Sequence, residues 1–462
     1  MNKNTMRKRS ALLLAALLTT AAALSGCGGG KSAGNVATGS GNNGNSSGSG
    51  EQVTITHYTI DSEDRTFIEK LIPDFEKEHP NIKVKVEKAP YEQFDSKLQT
   101  LIAGGKSPDV TSHYGYGGFA EYYNKDMLLD LTDLIAEDGF KAEDYHIPDN
   151  LMKIYTVNDR TYGIPVNMYV TLMLYNKDMF DAAKLSYPPS DYEDKSWTFE
   201  KMALEAKKMT VVSDDIAKTQ YGVDFTWAER DMRPLYFGAE PYSEDTWTNG
   251  GVPSETYFDS PEVISAYQKL FDLVFKDKVS PTSEWSKSVA GQNGDPFVAG
   301  KIGMSIGGSW NLAGANDFPF KIGVAAVPWG GNDKVRSTLY VDPLLILKGS
   351  KHPKEAFEWI KFLMTTEVQE KSIELSGGNP PVNTEAAEAY YKHFDGIDPA
   401  DVKKVYEGAV KYGSESYNHL ITNYSQINDM FINELQPVET GHKSLEEVMP
   451  VIQNKVTEII KR

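Results

Sequence analysis

Strand and helix signals alternate from residue 52 to residue 111, and that alternation restricts the chain to few architectures. Gln52 to Ile60 sets Val53 and Ile55 between threonines, the period of two that suits a strand. Arg65 to His79 carries Phe67, Ile68, Leu71, Ile72 and Phe75 at helical spacing, and Pro80 stops it. Ile82, Val84 and Val86 then alternate as a second strand. A second helix, Tyr91 to Ala103, shows Phe94, Leu98, Leu101 and Ile102 on one face, with Gly104 after it. Pro108-Asp109-Val110 opens a third short strand. Strands separated by helices run parallel, joined by right-handed crossovers. Open sheets of this kind hold ligands beyond the carboxyl ends of their strands.

Further along, Gly163 to Asn176, "GIPVNMYVTLMLYN", is a strand-like run long enough to leave one lobe and enter another. A helix is expected after Asp178, and another over Trp197 to Met209 with Ser196 or Thr198 as its cap. Tyr221 to Phe225, Lys301 to Ile306 and Phe320 to Val327 read as strands, Glu262 to Phe275 as a helix, and Leu339 to Leu347 as a second crossing strand. Pro353 to Met364 is helical, and residues 376–382, "SGGNPPV", form a non-helical elbow. The remainder to Arg462 is mostly helical. Tyr-Asn-Lys-Asp-Met occurs at 123–127 and again at 175–179 with unlike flanks, and reads as a recurring strand-to-helix entry.

The amino terminus has a different character. Lys3, Arg7, Lys8 and Arg9 precede an apolar or small-residue run from Ser10 to Leu24, too short to span a bilayer comfortably. A basic head, an apolar body and a small-residue tail match a secretory leader over residues 1–26. Leu24-Ser25-Gly26-Cys27 resembles the lipobox of bacterial lipoproteins, in which the cysteine receives a diacylglycerol thioether and becomes the first mature residue. Cys27 is the only cysteine in the chain, so no disulfide framework is available. Residues 27–50 are almost entirely small and polar, a flexible tether that cannot bury a core. The folded body begins near Glu51, and its length suggests two lobes. Without the leader the chain has 43 basic and 65 acidic residues, a formal charge of −22. That sign opposes binding to phosphate backbones. No later segment is apolar enough to span a membrane.

Five segments carry a resemblance when taken together: "HPNIKVKVEKAPYEQFDSKLQTLIAGGKSPDV" (79–110), "YGIPVNMYVTLMLYNKDMF" (162–180), "FVAGKIGMSIGGSWNL" (297–312), "FKIGVAAVP" (320–328) and "DPLLILKGSKHPKEAFEWIKFL" (342–363). In this order and at roughly this spacing the chain resembles extracellular solute-binding proteins of the sugar-specific, maltodextrin-binding-like group that serve ABC importers. The resemblance implies an α/β, two-lobe periplasmic-binding-protein-like fold with the ligand cleft at the hinge. It implies an N-terminal lobe of residues 51–166 plus about 335–373, and a C-terminal lobe of 167–334 plus about 374–462. It also implies a lipid-anchored monomer on the extracellular face of the bacterial cell membrane. Such a protein passes a mono- or oligosaccharide to the membrane subunits of an ABC permease and has no catalytic residues. No cofactor, metal or nucleic-acid partner is expected.

A sugar presents hydroxyl edges and weakly apolar C–H faces, so its site needs flat rings with short polar groups at their rims. The loops at strand ends supply both. Tyr58 and Asp61 follow the first strand, and His113, Tyr114 and Tyr116 the third. Asn167 and Tyr169 lie on the first crossing run. Trp227 and Arg230 follow the strand at 221–225, Trp310 follows "GMSIGGS", Tyr340 and Asp342 lie on the second crossing strand, and Asn379 lies in the elbow. By the resemblance, Trp310 falls where the family commonly has a stacking tryptophan, and Trp227 near another usual aromatic position. His113 falls where an aromatic platform is common. Tyr169 falls at or near a position that is acidic in the maltodextrin binders, which changes the hydroxyl pattern recognised. The alternative for each aromatic is packing inside a lobe, the role expected of Trp359 beside Phe357, Ile360 and Leu363.

Gly303-Met304-Ser305-Ile306-Gly307 matches the nucleophile-elbow pattern, but Ile302, Met304 and Ile306 alternate with small residues and place Ser305 inside a strand. Gly104-Gly105-Lys106-Ser107 lacks the leading glycine of a phosphate loop and follows a helix. The rival readings are a surface-anchored glycoside hydrolase or lyase, and a polysaccharide adhesin. On the lipobox reading, Cys27→Ala should leave the body folded and release it from membranes, checked by fractionation of expressing cells.

Overall fold

The protein is described here by a computed structural model covering residues 52–62, 65–225, 230–247 and 251–461. Cys27 and the residues expected to form the leader and the tether lie outside these residues, as does Trp227. Among the described residues eleven strands run in chain order: β1 Val53–Ile60, β2 Ile82–Ala89, β3 Val110–Thr111, β4 Thr156–Val157, β5 Arg160–Thr161, β6 Ile164–Asn176, β7 Tyr221–Asp224, β8 Ile302–Gly308, β9 Ile322–Ala325, β10 Ser337–Ile346 and β11 Gly413–Glu415. The first two helices are α1 Phe67–Glu78 and α2 Phe94–Ala103.

The hydrophobic periodicities explain most of these elements. In α1, Phe67, Ile68, Leu71 and Phe75 are buried on one face. The helix Phe199–Met209 starts at Thr198, whose Oγ1 accepts from the Lys201 N–H at 3.2 Å, so Thr198 and not Ser196 is the cap. The elbow begins where the helix Thr366–Ser376 ends, at Gly377 (φ 77°) followed by Gly378 (φ 121°); such backbone suits glycine alone. Ser305 lies within β8, paired with Leu174 on one side and Asp224 on the other, so it occupies no exposed turn. One expectation fails. The second Tyr-Asn-Lys-Asp-Met does lead from β6 into the helix Lys177–Ala183, but the first ends the helix Gly118–Asn124 and turns at Asp126 (φ 55°). The pentapeptide has no conformation of its own, because its neighbours decide whether it opens a helix or closes one.

Nine strands form one sheet. Its main path is β2-β1-β3-β10-β6-β8-β7, with β11 added to β10 and β9 to β6; β4 and β5 pair separately. β1 is parallel to β2 and β3, and β7 to β8, as helical crossovers require. β6 and β10 are antiparallel to each other and stand in the middle, so every route from one side of the sheet to the other passes through them. Residues on β6 up to Val166 belong to a core built from Ile55–Val166 and Val341–Val382. From Val170 onward β6 belongs to a second core, and Met168 packs against both. A third core, which periodicity alone does not separate from the second, joins the helices Pro261–Phe275, Tyr424–Glu439 and Leu445–Ile460. Trp359 is fully buried in the first core, as expected, with Phe75 and Phe362 against its ring.

Asp231 is buried in the third core and accepts hydrogen bonds from Tyr242 at 3.0 Å and Tyr424 at 2.7 Å. Burial pushes its carboxyl up to about 6, against the two hydroxyl bonds that pull it down. A carboxyl raised on folding contributes stability that is complete below its unfolded value and lost as pH rises through its folded one. Unfolding free energy should therefore decline between about pH 4 and pH 6 on account of this group. Asp231→Asn should lack that part of the decline, measured by urea titration across the range.

Candidate functional site

Side chains alternate along a strand, so Asn167 and Tyr169 on β6 share one face, as do Tyr340 and Asp342 on β10. The register pairs Tyr340 with Tyr169 and Asp342 with Asn167, which unites all four on one face of the crossing ladder. The register slips immediately afterwards, between Asp342 and Pro343, where Pro343 comes opposite Pro165. Proline has no N–H to donate, so the ladder gives way at that point.

Above this ladder lies a cavity of about 1070 Å³. Trp310 enters it from the turn after β8, with its ring 6.0 Å from Tyr169 and 5.0 Å from Tyr340, edge to face in both cases. Its seat depends on Gly308. A Cβ there would lie 2.2 Å from the Trp310 ring, although the backbone φ of −71° is open to any residue. A second aromatic group comes from the loop ahead of α2 and the loop after β3. Tyr91 packs against His113 at 5.4 Å and against Tyr116 at 4.5 Å. Both groups line the same cavity.

A buried charged network joins them. Arg65, just ahead of α1, is hydrogen-bonded to Asp342 as an ion pair, and its guanidinium lies 3.5 Å from the Tyr169 hydroxyl. Asp342 also faces His113, Nε2 to Oδ1 at 3.6 Å. His113 accepts the Gly115 N–H on Nδ1 at 2.8 Å, which leaves the ring proton on Nε2, toward Asp342. Lys70, Glu92, Asn418 and Asn428 add polar groups to the cavity wall. The site thus combines ring faces with donors and acceptors fixed from behind.

The expected residues separate accordingly. His113, Tyr114, Tyr116, Tyr169, Arg230, Trp310, Tyr340 and Asp342 line the cavity. Tyr114 does so with its hydroxyl turned inward, donating to Val341 O at 3.1 Å beside His419 Nε2 at 2.6 Å. Arg230 lies 3.4 Å from Glu439. Four residues are elsewhere. Tyr58 points into the first core, where it packs on Phe94 and donates to the Phe94 carbonyl, because its place on β1 sends it to the α2 side. Asp61 is exposed past the end of β1, where Ile60 and Ser62 supply the wall. Asn167 is buried below the cleft and donates to Pro380 O at 3.0 Å. Asn379 is buried in the elbow, beneath the wall residues Ser376 and Gly377. Arg65 and Tyr91 are the residues that sequence reasoning missed. An arginine beside Glu63 and Asp64 reads as part of a solvated run, and nothing local distinguishes it. Among the described residues no group of three or more His, Cys, Asp or Glu could hold a metal.

Residues 60–370 match the family model of the bacterial extracellular solute-binding proteins, and the chain belongs to that family. Among solved structures it is similar to an ABC substrate-binding protein of Listeria monocytogenes in complex with cycloalternan. That likeness has a TM-score of 0.76 and 25% identity, and covers 89% of this chain and 100% of the other. A solute-binding protein of Thermotoga lettingae bound with α-D-tagatose shares the fold at 22% identity with a TM-score of 0.71, covering 89% and 100% of the two chains. The multiple sugar-binding protein of Streptococcus mutans is 26% identical over 342 residues, 71% of this chain and 74% of its own. The architecture is the two-lobe α/β fold of these binding proteins.

An aromatic contact contributes about 0.5–1.5 kcal/mol beyond its buried area. Trp310→Ala should weaken ligand binding by about 1 kcal/mol or more. Gly308→Ala should reproduce much of that loss by displacing the ring. Calorimetric titration with the bound ligand reads both, and unchanged affinity in the pair would remove Trp310 from the site.

Proposed function

We propose that this chain captures a mono- or oligosaccharide for an ABC importer and alters none of its bonds. The observation that carries the proposal is the pair of aromatic groups on one cavity, Trp310 with Tyr169 and Tyr340, and Tyr91 with His113 and Tyr116. Rings offer flat apolar faces for sugar C–H groups, and the Arg65–Asp342 pair offers donors and acceptors for hydroxyls. The cavity volume lies slightly above the range of about 300–1000 Å³ usual for small-molecule sites, with room for more than one sugar ring. The relatives from Listeria monocytogenes and Streptococcus mutans, one in complex with cycloalternan and one a multiple sugar-binding protein, support the ligand class.

The rest of the reading is supported by the family and by the leader-like pattern of residues 1–26. Closure of residues 51–166 plus about 335–373 against 167–334 plus about 374–462 traps the ligand, since contacts made from both sides exist only when the lobes meet. The permease subunits receive the loaded monomer. Cys27 carries the lipid, and residues 27–50 hold the body off the outer face of the cell membrane. The catalytic alternative has a specific weakness: among the described residues of the cavity wall the carboxylates are Asp342, which is held by Arg65, and Glu92, which has no second free acid beside it.

A thermal-shift screen against a broad panel of saccharides should raise the melting temperature with one sugar class. Small-angle scattering should then show a smaller radius of gyration at saturation, and prolonged incubation should return the sugar intact. Identical scattering with and without a tightly bound sugar, or release of reducing ends or unsaturated products, would defeat the proposal.

A further inference from the structure

Directly behind the floor of the cleft, three buried polar side chains line one small cavity. Each has one end committed. Asn167 donates its amide N–H to Pro380 O at 3.0 Å, and Gln369 donates its own to Leu363 O at 2.9 Å. Those bonds orient both amides and leave Asn167 Oδ1 and Gln369 Oε1 as acceptors. His57 is fully buried and accepts the Trp359 indole N–H on Nδ1 at 2.8 Å. That bond places the ring proton on Nε2. Burial, aided by the charge of Arg65, pushes the imidazole down to about 3, so it stays neutral. Asn167 Oδ1, Gln369 Oε1 and His57 Nε2 have no hydrogen-bond partner among the described residues. All three residues line a cavity of about 10 Å³, with Arg65, Ser112 and Ser372 also on its wall.

We propose that His57, Asn167 and Gln369 form the binding site of a single internal water molecule. The volume is close to that of one water, and two to four polar partners are what an internal water needs. The stereochemistry agrees: water donates to the two amide oxygens and accepts from His57 Nε2–H. A metal cation would face that N–H and the Arg65 guanidinium. An anion would face the two amide oxygens. Only a small neutral molecule that both donates and accepts satisfies the set.

This water joins β1 through His57, the crossing strand β6 through Asn167, and the helix Thr366–Ser376 through Gln369. Arg65 lines both this cavity and the cleft. The water therefore backs the guanidinium that faces the ligand, and it fixes the crossing strand to the first core. The proposal is independent of which ligand the cleft takes.

A crystal structure of the protein, at a resolution that orders solvent, tests it without any substitution. One solvent peak should lie about 2.7–3.2 Å from His57 Nε2, Asn167 Oδ1 and Gln369 Oε1, with or without ligand in the cleft. In crystals of Gln369→Leu that peak should be lost. An empty cavity in the wild-type protein, an ion at the position, or side chains turned to bond one another directly would overturn the proposal.

Discussion

The antiparallel pairing of β6 with β10 is the constraint on which the rest of the molecule depends. It is the only ladder that joins the parallel strands of the first core to the strands of the second among the described residues. Its register sets Tyr169 opposite Tyr340 and Asn167 opposite Asp342. A slip of one residue would turn all four to the other face. The cleft floor and the connection between cores are thus one structure, so a movement of one core against the other acts directly on the groups that line the site.

The Arg65–Asp342 pair shows what such a floor requires. Both side chains are almost wholly removed from solvent. Desolvating two charges is expensive, and an ion pair of this kind often adds nothing net to stability. Removing one partner is different, because a buried charge left alone typically costs about 3–5 kcal/mol. The pair is best understood as a device that holds polar groups in fixed directions. Tyr169 and His113 lean on the same two side chains, so the orientation is settled before a ligand arrives. The ring of Trp310 is placed by another means, the missing side chain at Gly308.

Much of this was legible in the residues. Period-two and helical patterns located β1, β2, β8, β10 and the helices of the first core within a few positions, and Pro80, Gly104 and the elbow glycines marked where they stop. The length of the apolar run at 163–176 already showed a strand too long for one core. The candidate site was legible as a set of strand ends, which is why His113, Tyr116 and Trp310 reach the cavity. Where the pattern was silent, the physical cause is burial on both faces. Nearly every residue of β6 is buried, so alternation in the sequence could not say which side faced the ligand. Tyr58, within a buried stretch of β1, turned out to serve the core, whereas Asn167 shares the face of Tyr169 but sits lower on it, where its amide bonds Pro380 O and lines the small cavity behind the cleft.

Local chemistry was enough to specify the alternating α/β class, the two crossing strands and the absence of any nucleophile elbow at Ser305, because periodicity, capping and turn residues act over a few positions. The composition of the site itself was settled by folding. Arg65 meets Asp342 across 277 positions of chain, and Trp359 meets His57 across 302. Such contacts depend on which faces two distant strands present to each other, and no short stretch of residues carries that information.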